Sequence, residues 1–239
     1  IEMKITVIIP VFNERKTIKT IINKILNLRN LDIQIILVDD FSTDGTRDLI
    51  QNELSKKVDK VIFHSSNQGK GSAIISAKQF IKGDIVIIQD GDLEYDPNDY
   101  YQLIKPILDN SYKVVYGSRV LSNGRYRNKR FTSLFRIFCN HILTIISNFL
   151  NSQNLTDAHT CYKVFKREVF IEIKLQEKGF SFCPEITTKI SNLGIDIYEV
   201  PINYYGRSYD EGKKIRFIDG FIAIKTLFKY KKFKNDALQ

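Results

Sequence analysis

The feature that most constrains this chain is a rhythm running from residue 5 to residue 94: short β-branched apolar runs, each ending in polar residues and separated by stretches with helical spacing. Ile5-Thr-Val-Ile-Ile9 has the pattern of a strand buried on both faces. After the turn Pro10-Val-Phe-Asn-Glu14, apolar residues at Ile18, Ile21, Ile22, Ile25 and Leu26 predict a helix. Ile33 to Val38 predicts a second strand, followed by the turn Ser42-Thr-Asp-Gly45 and a helix from Thr46 to about Leu54. Val61 to Phe63 predicts a third strand, and Asn67-Gln-Gly-Lys-Gly71 opens a helix from Ser72 to about Ile81. Ile85 to Ile88 is the fourth. This alternation predicts an α/β fold: a Rossmann-like, mainly parallel sheet with helices on both faces. Such sheets bind ligands beyond the carboxyl ends of their strands. The conspicuous polar groups, Asn13-Glu14, Asp39-Asp40, Asn67 to Gly71 and Asp90 to Glu94, all fall at those ends.

The last of these groups carries the most chemistry. Asp90, Asp92 and Glu94 alternate, so an extended backbone projects all three to one face, with Asp96 close behind. Crowded carboxylates repel one another unless solvent or a cation compensates. Hard oxygen ligands at the mouth of a strand suit Mg2+ or Mn2+ held jointly with substrate phosphates. A solvated acidic turn closed by Asp96-Pro97 is the plain alternative.

The second half is less regular. Tyr112 to Tyr116 predicts a strand leading into Gly117-Ser-Arg119, and a basic segment follows with Arg125, Arg127, Lys129 and Arg130. Phe131 to Leu150 carries a helical apolar stripe, which suits either a core helix or a face lying on a membrane. Then come Thr156-Asp-Ala-His-Thr160, a strand-like Tyr162 to Phe165, a helix near Pro184 to Leu193 and a strand from Ile195 to Val200. From Lys213 to Lys232, apolar pairs alternate with basic residues. The expected organisation is one domain over 1–212, its first half over about 1–120 and its second over about 121–212, plus a basic amphipathic helical extension over 213–239. No stretch has the roughly 18 uninterrupted apolar residues of a spanning helix. The apolar N-terminal run is short and holds Pro10, so it does not predict a signal peptide. Cys139, Cys161 and Cys183 are too dispersed for a zinc site or a disulfide framework and suit reduced thiols in the cytosol. The net charge of +9 is compatible with nucleic acid, an anionic membrane surface or a phosphorylated substrate.

Ile8-Ile-Pro-Val-Phe-Asn-Glu14, Val38-Asp-Asp-Phe-Ser-Thr-Asp-Gly-Thr46, Asn67-Gln-Gly-Lys-Gly71, Asp90-Gly-Asp92 and Gly117-Ser-Arg119 resemble, in this order, the motifs of family 2 glycosyltransferases of the GT-A fold. Glu199-Val-Pro-Ile202 followed by Arg207 is similar to the branch that contains dolichyl-phosphate mannose synthase and polyprenyl-phosphate glycosyltransferases. The resemblance implies that Pro10, Glu14 and Asp39 hold the base and ribose of a nucleotide sugar, and that Gly69 and Gly71 let backbone pass close to the nucleotide. Lys70 adds charge there, or simply starts a helix. Asp90 is implied near the ribose or metal, and Asp92 as the metal ligand. Glu94, implied as a second ligand, stands where that branch often has Gln. Arg119 and Arg207 are implied as phosphate clamps, a bidentate guanidinium being suited to that task; surface arginines would leave the same trace.

The implied reaction breaks a sugar–phosphate bond with inversion at the anomeric carbon, a divalent cation and Arg offsetting the charge of the departing diphosphate. A lipid phosphate acceptor is already an anionic nucleophile, whereas a hydroxyl of a diacylglycerol or glycan needs a general base. Asp157 is the first candidate for such a base and Glu185 the second; Asp157 also suits a turn or helix cap, and His159 suits a structural role. The expected partners are a nucleotide-sugar donor, a lipid acceptor and an anionic membrane surface, with no nucleic acid, which places the protein in the cytoplasm at the periphery of the membrane. A basic nucleic-acid-binding module would explain the charge but not carboxylates at the sheet edge, which repel phosphate unless metal intervenes. A nucleotidyltransferase lacks a Gly-rich loop with Arg or Lys straight after the first strand.

Overall fold

The computed structural model describes residues 3–121, 134–207 and 218–231. Seven strands form one sheet: β1 (Ile5–Val11), β2 (Ile33–Asp39), β3 (Lys60–Phe63), β4 (Ile85–Ile88), β5 (Val114–Ser118), β6 (Lys163–Lys166) and β7 (Ile197–Pro201). Their order across the sheet is β3-β2-β1-β4-β6-β5-β7. β6 runs antiparallel to both neighbours, β4 and β5, while every other pairing is parallel. Alternation along the central strands sorts their side chains between two cores. Val7 and Ile9 of β1, Ile35 and Leu37 of β2, and Ile85 and Ile87 of β4 enter one core. Ile8, Ile36, Val38, Val86 and Ile88 enter the other.

Helices close both faces. On the first lie α1 (Ile18–Leu26), through Ile18, Ile21, Ile22 and Ile25, and α4 (Tyr100–Leu108), through Tyr100, Leu103, Ile104 and Ile107. Between them in the chain are α2 (Thr46–Leu49), which continues as a single π-helical turn at Ile50–Leu54, and α3 (Lys70–Ala77). The second face is covered by α3, α6 (Arg167–Glu172) and α7 (Phe182–Asn192). Outside them, α5 (Leu134–Asn151) and α8 (Ile218–Tyr230) pack on each other and on α7. Leu227 of α8 is fully buried, whereas Phe138, Ile145 and Phe149 of α5 and Ile218, Phe221 and Phe228 of α8 are exposed, Phe149 to 86%. No helix is long and apolar enough to cross a membrane among the described residues.

Several boundaries differ from the sequence expectation. The helix expected from Ser72 starts at Lys70, because Gly69 turns the chain through a positive φ of 92° just before it. The helices α4 and α6 were not expected, and the expected strand at Tyr112 begins instead at Val114. The basic segment at 125–130, Phe131 at the head of the apolar stripe, and Lys213 to Phe217 of the tail lie outside the described residues.

Candidate active site

The loops that leave β1, β2 and β4 at their carboxyl ends meet the segment that follows β7. Thr17 ties the first to the third: its hydroxyl donates to the Gly91 carbonyl at 2.9 Å and to Glu14 Oε2 at 3.0 Å. Thr46 accepts the Glu14 amide at 3.0 Å, which joins the β1 loop to the start of α2. These bonds hold the buried Glu14 carboxylate beside Asp92 and Glu94, which are also buried.

The guanidinium of Arg207 occupies the middle of that acidic cluster. It donates from Nη1 to Glu14 Oε2 at 3.0 Å, from Nη2 to Glu14 Oε1 at 3.2 Å and from Nη2 to Asp92 Oδ2 at 2.6 Å. Its own amide donates to Glu94 Oε1 at 2.7 Å, and the Tyr204 hydroxyl donates to Glu94 Oε2 at 3.1 Å. The crowding of carboxylates shows in the Asp92 titration. Burial, reinforced by Asp90 and Glu94, pushes the Asp92 carboxyl up to about 7 against the opposing pull of Arg207. A donor set of hard oxygens in that condition fits a divalent cation. Among the described residues no three acidic, His or Cys groups already converge as a metal cage.

Asp90 pairs with Lys70, whose Nζ also lies 3.2 Å from Cys161 Sγ. Burial works against both charges, but their mutual attraction prevails: Asp90 is held below the ordinary carboxylate range and Lys70 well above the ordinary amine range. Lys70 is thus a buried partner of Asp90.

Gly69 and Gly71 lie against backbone of the chain's own loop. A Cβ at either position would collide with backbone at Glu177 and Lys178. Ser72 N donates to the Lys178 carbonyl at 3.0 Å. The close approach of the chain's own loop thus requires glycine at both positions. That loop is fixed by Glu185, whose carboxylate accepts the Gln176 and Glu177 amides at 2.8 and 2.9 Å and pairs with Lys189 at 2.6 Å.

Beside the acidic cluster sits a second unit, built on an ion pair. Arg119, at the end of β5, grips Asp157 bidentately, Nε to Oδ2 at 2.6 Å and Nη2 to Oδ1 at 2.8 Å. Asn140 adds a bond to Oδ1 at 3.3 Å, and Glu199 accepts the Asp157 amide at 2.9 Å. Although Asp157 is completely buried, Arg119 outweighs the desolvation and holds its carboxyl well below the usual range. The Arg119 guanidinium lies 5.1 Å from the centre of the Tyr204 ring, and Tyr204 reaches Glu94, so the two units share a wall. His159, next along, is driven by burial down to about 4 and is neutral at physiological pH.

Pro10 pairs with Val38 and Val11 with Asp39 in the β1–β2 ladder, which places both expected nucleotide residues at one strand edge. Asp39 Oδ2 meets Arg47 Nε at 3.1 Å. Its neighbour Asp40 accepts the Gln68 and Gly69 amides at 2.8 and 2.7 Å and meets His64 Nδ1 at 2.7 Å, so it pins the loop before α3 to β2. Sequence reasoning singled out Asp40 only as part of a polar group and missed His64, Thr17 and Tyr204. Their partners lie 24, 74 and 110 residues away, and no local pattern signals such pairs.

Residues 6–174 match the family described as Glycosyl transferase family 2. The chain is similar to a dolichol-phosphate mannosyltransferase of Pyrococcus furiosus, 29% identical over 231 residues, which are 95% of this chain and 62% of the relative. It is also similar to a UDP-N-acetylglucosamine–dolichyl-phosphate N-acetylglucosaminyltransferase of Methanococcus voltae, 29% identical over 235 residues, covering 91% of this chain and 92% of that one. The chain thus spans less than two thirds of the length of the Pyrococcus relative. Among solved structures it resembles glucosyl-3-phosphoglycerate synthase of Mycobacterium tuberculosis in complex with Mn2+, UDP-glucose and phosphoglyceric acid. The TM-score is 0.72 at 19% identity, with 95% of this chain and 79% of that one covered, which establishes a GT-A fold. With the family motifs seated at the carboxyl ends of the strands and more than two thirds of the chain matched, this chain belongs to glycosyl transferase family 2.

Proposed function

We propose that the protein transfers a sugar from a nucleoside-diphosphate sugar to a lipid phosphate, with inversion at the anomeric carbon. The observation that carries this reading is the cluster of Glu14, Asp92 and Glu94 around Arg207 at the mouth of the parallel strands, with the Asp92 carboxyl pushed up to about 7. Asp92, with Glu94 beside it, is the set that would hold Mg2+ or Mn2+. Bound there, the cation would neutralise charge on the diphosphate as it departs. The relatives' names support the donor and acceptor classes: one is a dolichol-phosphate mannosyltransferase, and another uses UDP-N-acetylglucosamine and dolichyl phosphate.

The chain's own residues divide the remaining work. Glu14, Asp39 and Pro10 face the nucleoside. Arg207 is close enough to Asp92 to exchange its carboxylate partners for donor phosphate oxygens, which a guanidinium binds bidentately. Arg119 presents the second cation, for the acceptor phosphate, and Asp157 sets its orientation through two hydrogen bonds. A carboxylate held so far below its usual range is a poor proton acceptor at neutral pH. Asp157 therefore serves as a positioning residue, and the acceptor that needs no base, a phosphate, fits better than a hydroxyl. The exposed apolar side chains of α5 and α8, with Lys225, Lys229 and Lys231 among them in sequence, suit a peripheral contact with an anionic membrane. The three cysteines are all unpaired, in keeping with the cytoplasmic side.

Thermal shift against a panel of UDP- and GDP-sugars, with and without Mn2+, tests the donor site. Metal-dependent stabilisation by one donor class, lost in Asp92→Asn, is expected, because an amide is a poorer ligand for a hard cation than a carboxylate. Equal stabilisation of wild type and Asp92→Asn would remove Asp92 from the site.

A further inference from the structure

The loop after β2 holds a residue that ordinary packing does not explain. Phe41 has a φ of +66°, in the left-handed region that a side chain with a Cβ occupies only at a cost in free energy. A ring in that conformation should repay the strain by burying itself, yet Phe41 is 40% exposed. Phe63, at the end of the adjacent strand β3, is exposed to the same 40%. Between the two rings lies Arg47, its guanidinium carbon 5.6 Å from the centre of Phe41 and 4.9 Å from that of Phe63. Arg47 also donates to the His64 carbonyl at 2.6 Å and pairs with Asp39, so the stack is anchored to β2 and β3 at the carboxyl edge of the sheet. At its base, Asp39 Oδ1 is completely buried and has no hydrogen-bond partner among the described residues. A buried carboxylate oxygen without a donor is costly and calls for an explanation.

Two half-exposed aromatic rings backed by a cation, beside a carboxylate with an unused acceptor, have the chemistry to take a flat heterocycle bearing N–H groups. We infer that Phe41 is a stacking platform for the nucleobase of the donor, with Arg47 and Phe63 holding its ring in place. The inference rests on the nucleotide-sugar reading of the site and adds a binding residue to it. Strain persists at functional positions because a ligand uses the conformation. Stacking on an aromatic face depends little on base identity, since every base has a π-face. The platform therefore contributes affinity for uridine and guanosine nucleotides alike, and hydrogen bonding at Asp39 selects between them.

The variant Phe41→Gly tests this, because glycine accepts the same backbone conformation without strain. Binding of UDP, GDP and inorganic pyrophosphate, each with Mn2+, is measured by calorimetry, alongside the melting temperature of the protein. The expected result is a loss of about tenfold or more in affinity for both nucleotides, unchanged affinity for pyrophosphate, and a melting temperature no lower than that of wild type. Phe41→Tyr keeps the ring and keeps the affinity. Unchanged nucleotide affinity in Phe41→Gly would overturn the inference, and so would an equal loss for pyrophosphate accompanied by a lower melting temperature, which would make the ring a loop brace. Wild type that binds nucleotides no better than pyrophosphate would refute the platform while leaving the phosphate site intact. Wild type that binds neither would refute the platform and the donor site together.

Discussion

Replacing Asp157 by Asn probes both the stability and the chemistry of the site. The wild-type carboxylate is completely buried and makes two short bonds to Arg119, 2.6 and 2.8 Å, plus one to Asn140. Removing one partner of a buried ion pair costs about 3–5 kcal/mol; an amide keeps one acceptor oxygen, so about 2–3 kcal/mol is expected here. In a chain of this size that corresponds to a drop in Tm of roughly 5–10 °C. Arg119→Met strands an unpaired carboxylate and should cost more, and the double variant should recover part of the loss. The pH dependence has a definite sign. Because Arg119 holds Asp157 below its ordinary value of 3.8, the pair's stabilisation is present in full above that value and fades only as pH falls towards the depressed one. Asp157→Asn should therefore flatten the acid limb of stability. Its kinetics should show no such change at neutral pH. If the nucleophile is a phosphate monoester, kcat/KM rises through a pKa of about 6 that belongs to the acceptor, and this limb is the same in both proteins. The assay is transfer to a short-chain polyprenyl phosphate between pH 5 and 9, on protein shown to be folded by circular dichroism. A limb that disappears in Asp157→Asn, with turnover down by about 10² or more, would make Asp157 a general base and refute the reasoning.

Arg207→Ala empties the space between Glu14, Asp92 and Glu94; the metal-free protein should lose stability, and Mn2+ alone, followed by electron paramagnetic resonance, should bind more tightly than to wild type. Lys163, completely buried with its Nζ on the Ala158 carbonyl at 2.9 Å, is lowered by burial from 10.5 to about 8. The unfolded chain therefore holds more protons between those values, wild-type stability should rise with pH across that window by up to about 3 kcal/mol, and chemical denaturation of Lys163→Met should show a flatter profile. Phe149, 86% exposed on α5, makes little contribution to packing: Phe149→Asp should leave Tm within about 2 °C, in line with an exposed site, and reduce sedimentation with anionic liposomes, whereas undiminished sedimentation would detach α5 from the membrane.

The first four strands were legible because each is a continuous β-branched run, and two-sided burial leaves that mark. The direction of β6 was not, since a short apolar run reads alike parallel or antiparallel. Asp96-Pro97 and Pro106 disguised α4, although Tyr100, Leu103, Ile104 and Ile107 carry helical spacing. In the site, the carboxylates of the β4 loop could be read locally because they are neighbours in sequence. Arg119–Asp157 and Arg207–Glu14 join residues 38 and 193 apart, so their contact is a product of the sheet order. At Gly69 and Gly71 the demand for glycine was visible, but the loop at 177–178 that presses on both was not, because it lies about a hundred residues along the chain. The left-handed Phe41 left no trace, as its side chain disfavours the conformation it holds.

Transfer to a lipid phosphate can be measured in one reaction. Purified protein, Mn2+, a panel of radiolabelled UDP- and GDP-sugars and a polyprenyl phosphate are incubated, and the lipid phase is counted. Label is expected in the lipid from one donor class, abolished by a chelator and by Asp92→Asn, with the product linkage inverted relative to the donor. Label in the lipid that survives both the chelator and Asp92→Asn would contradict the acidic cluster around Arg207 as the catalytic centre.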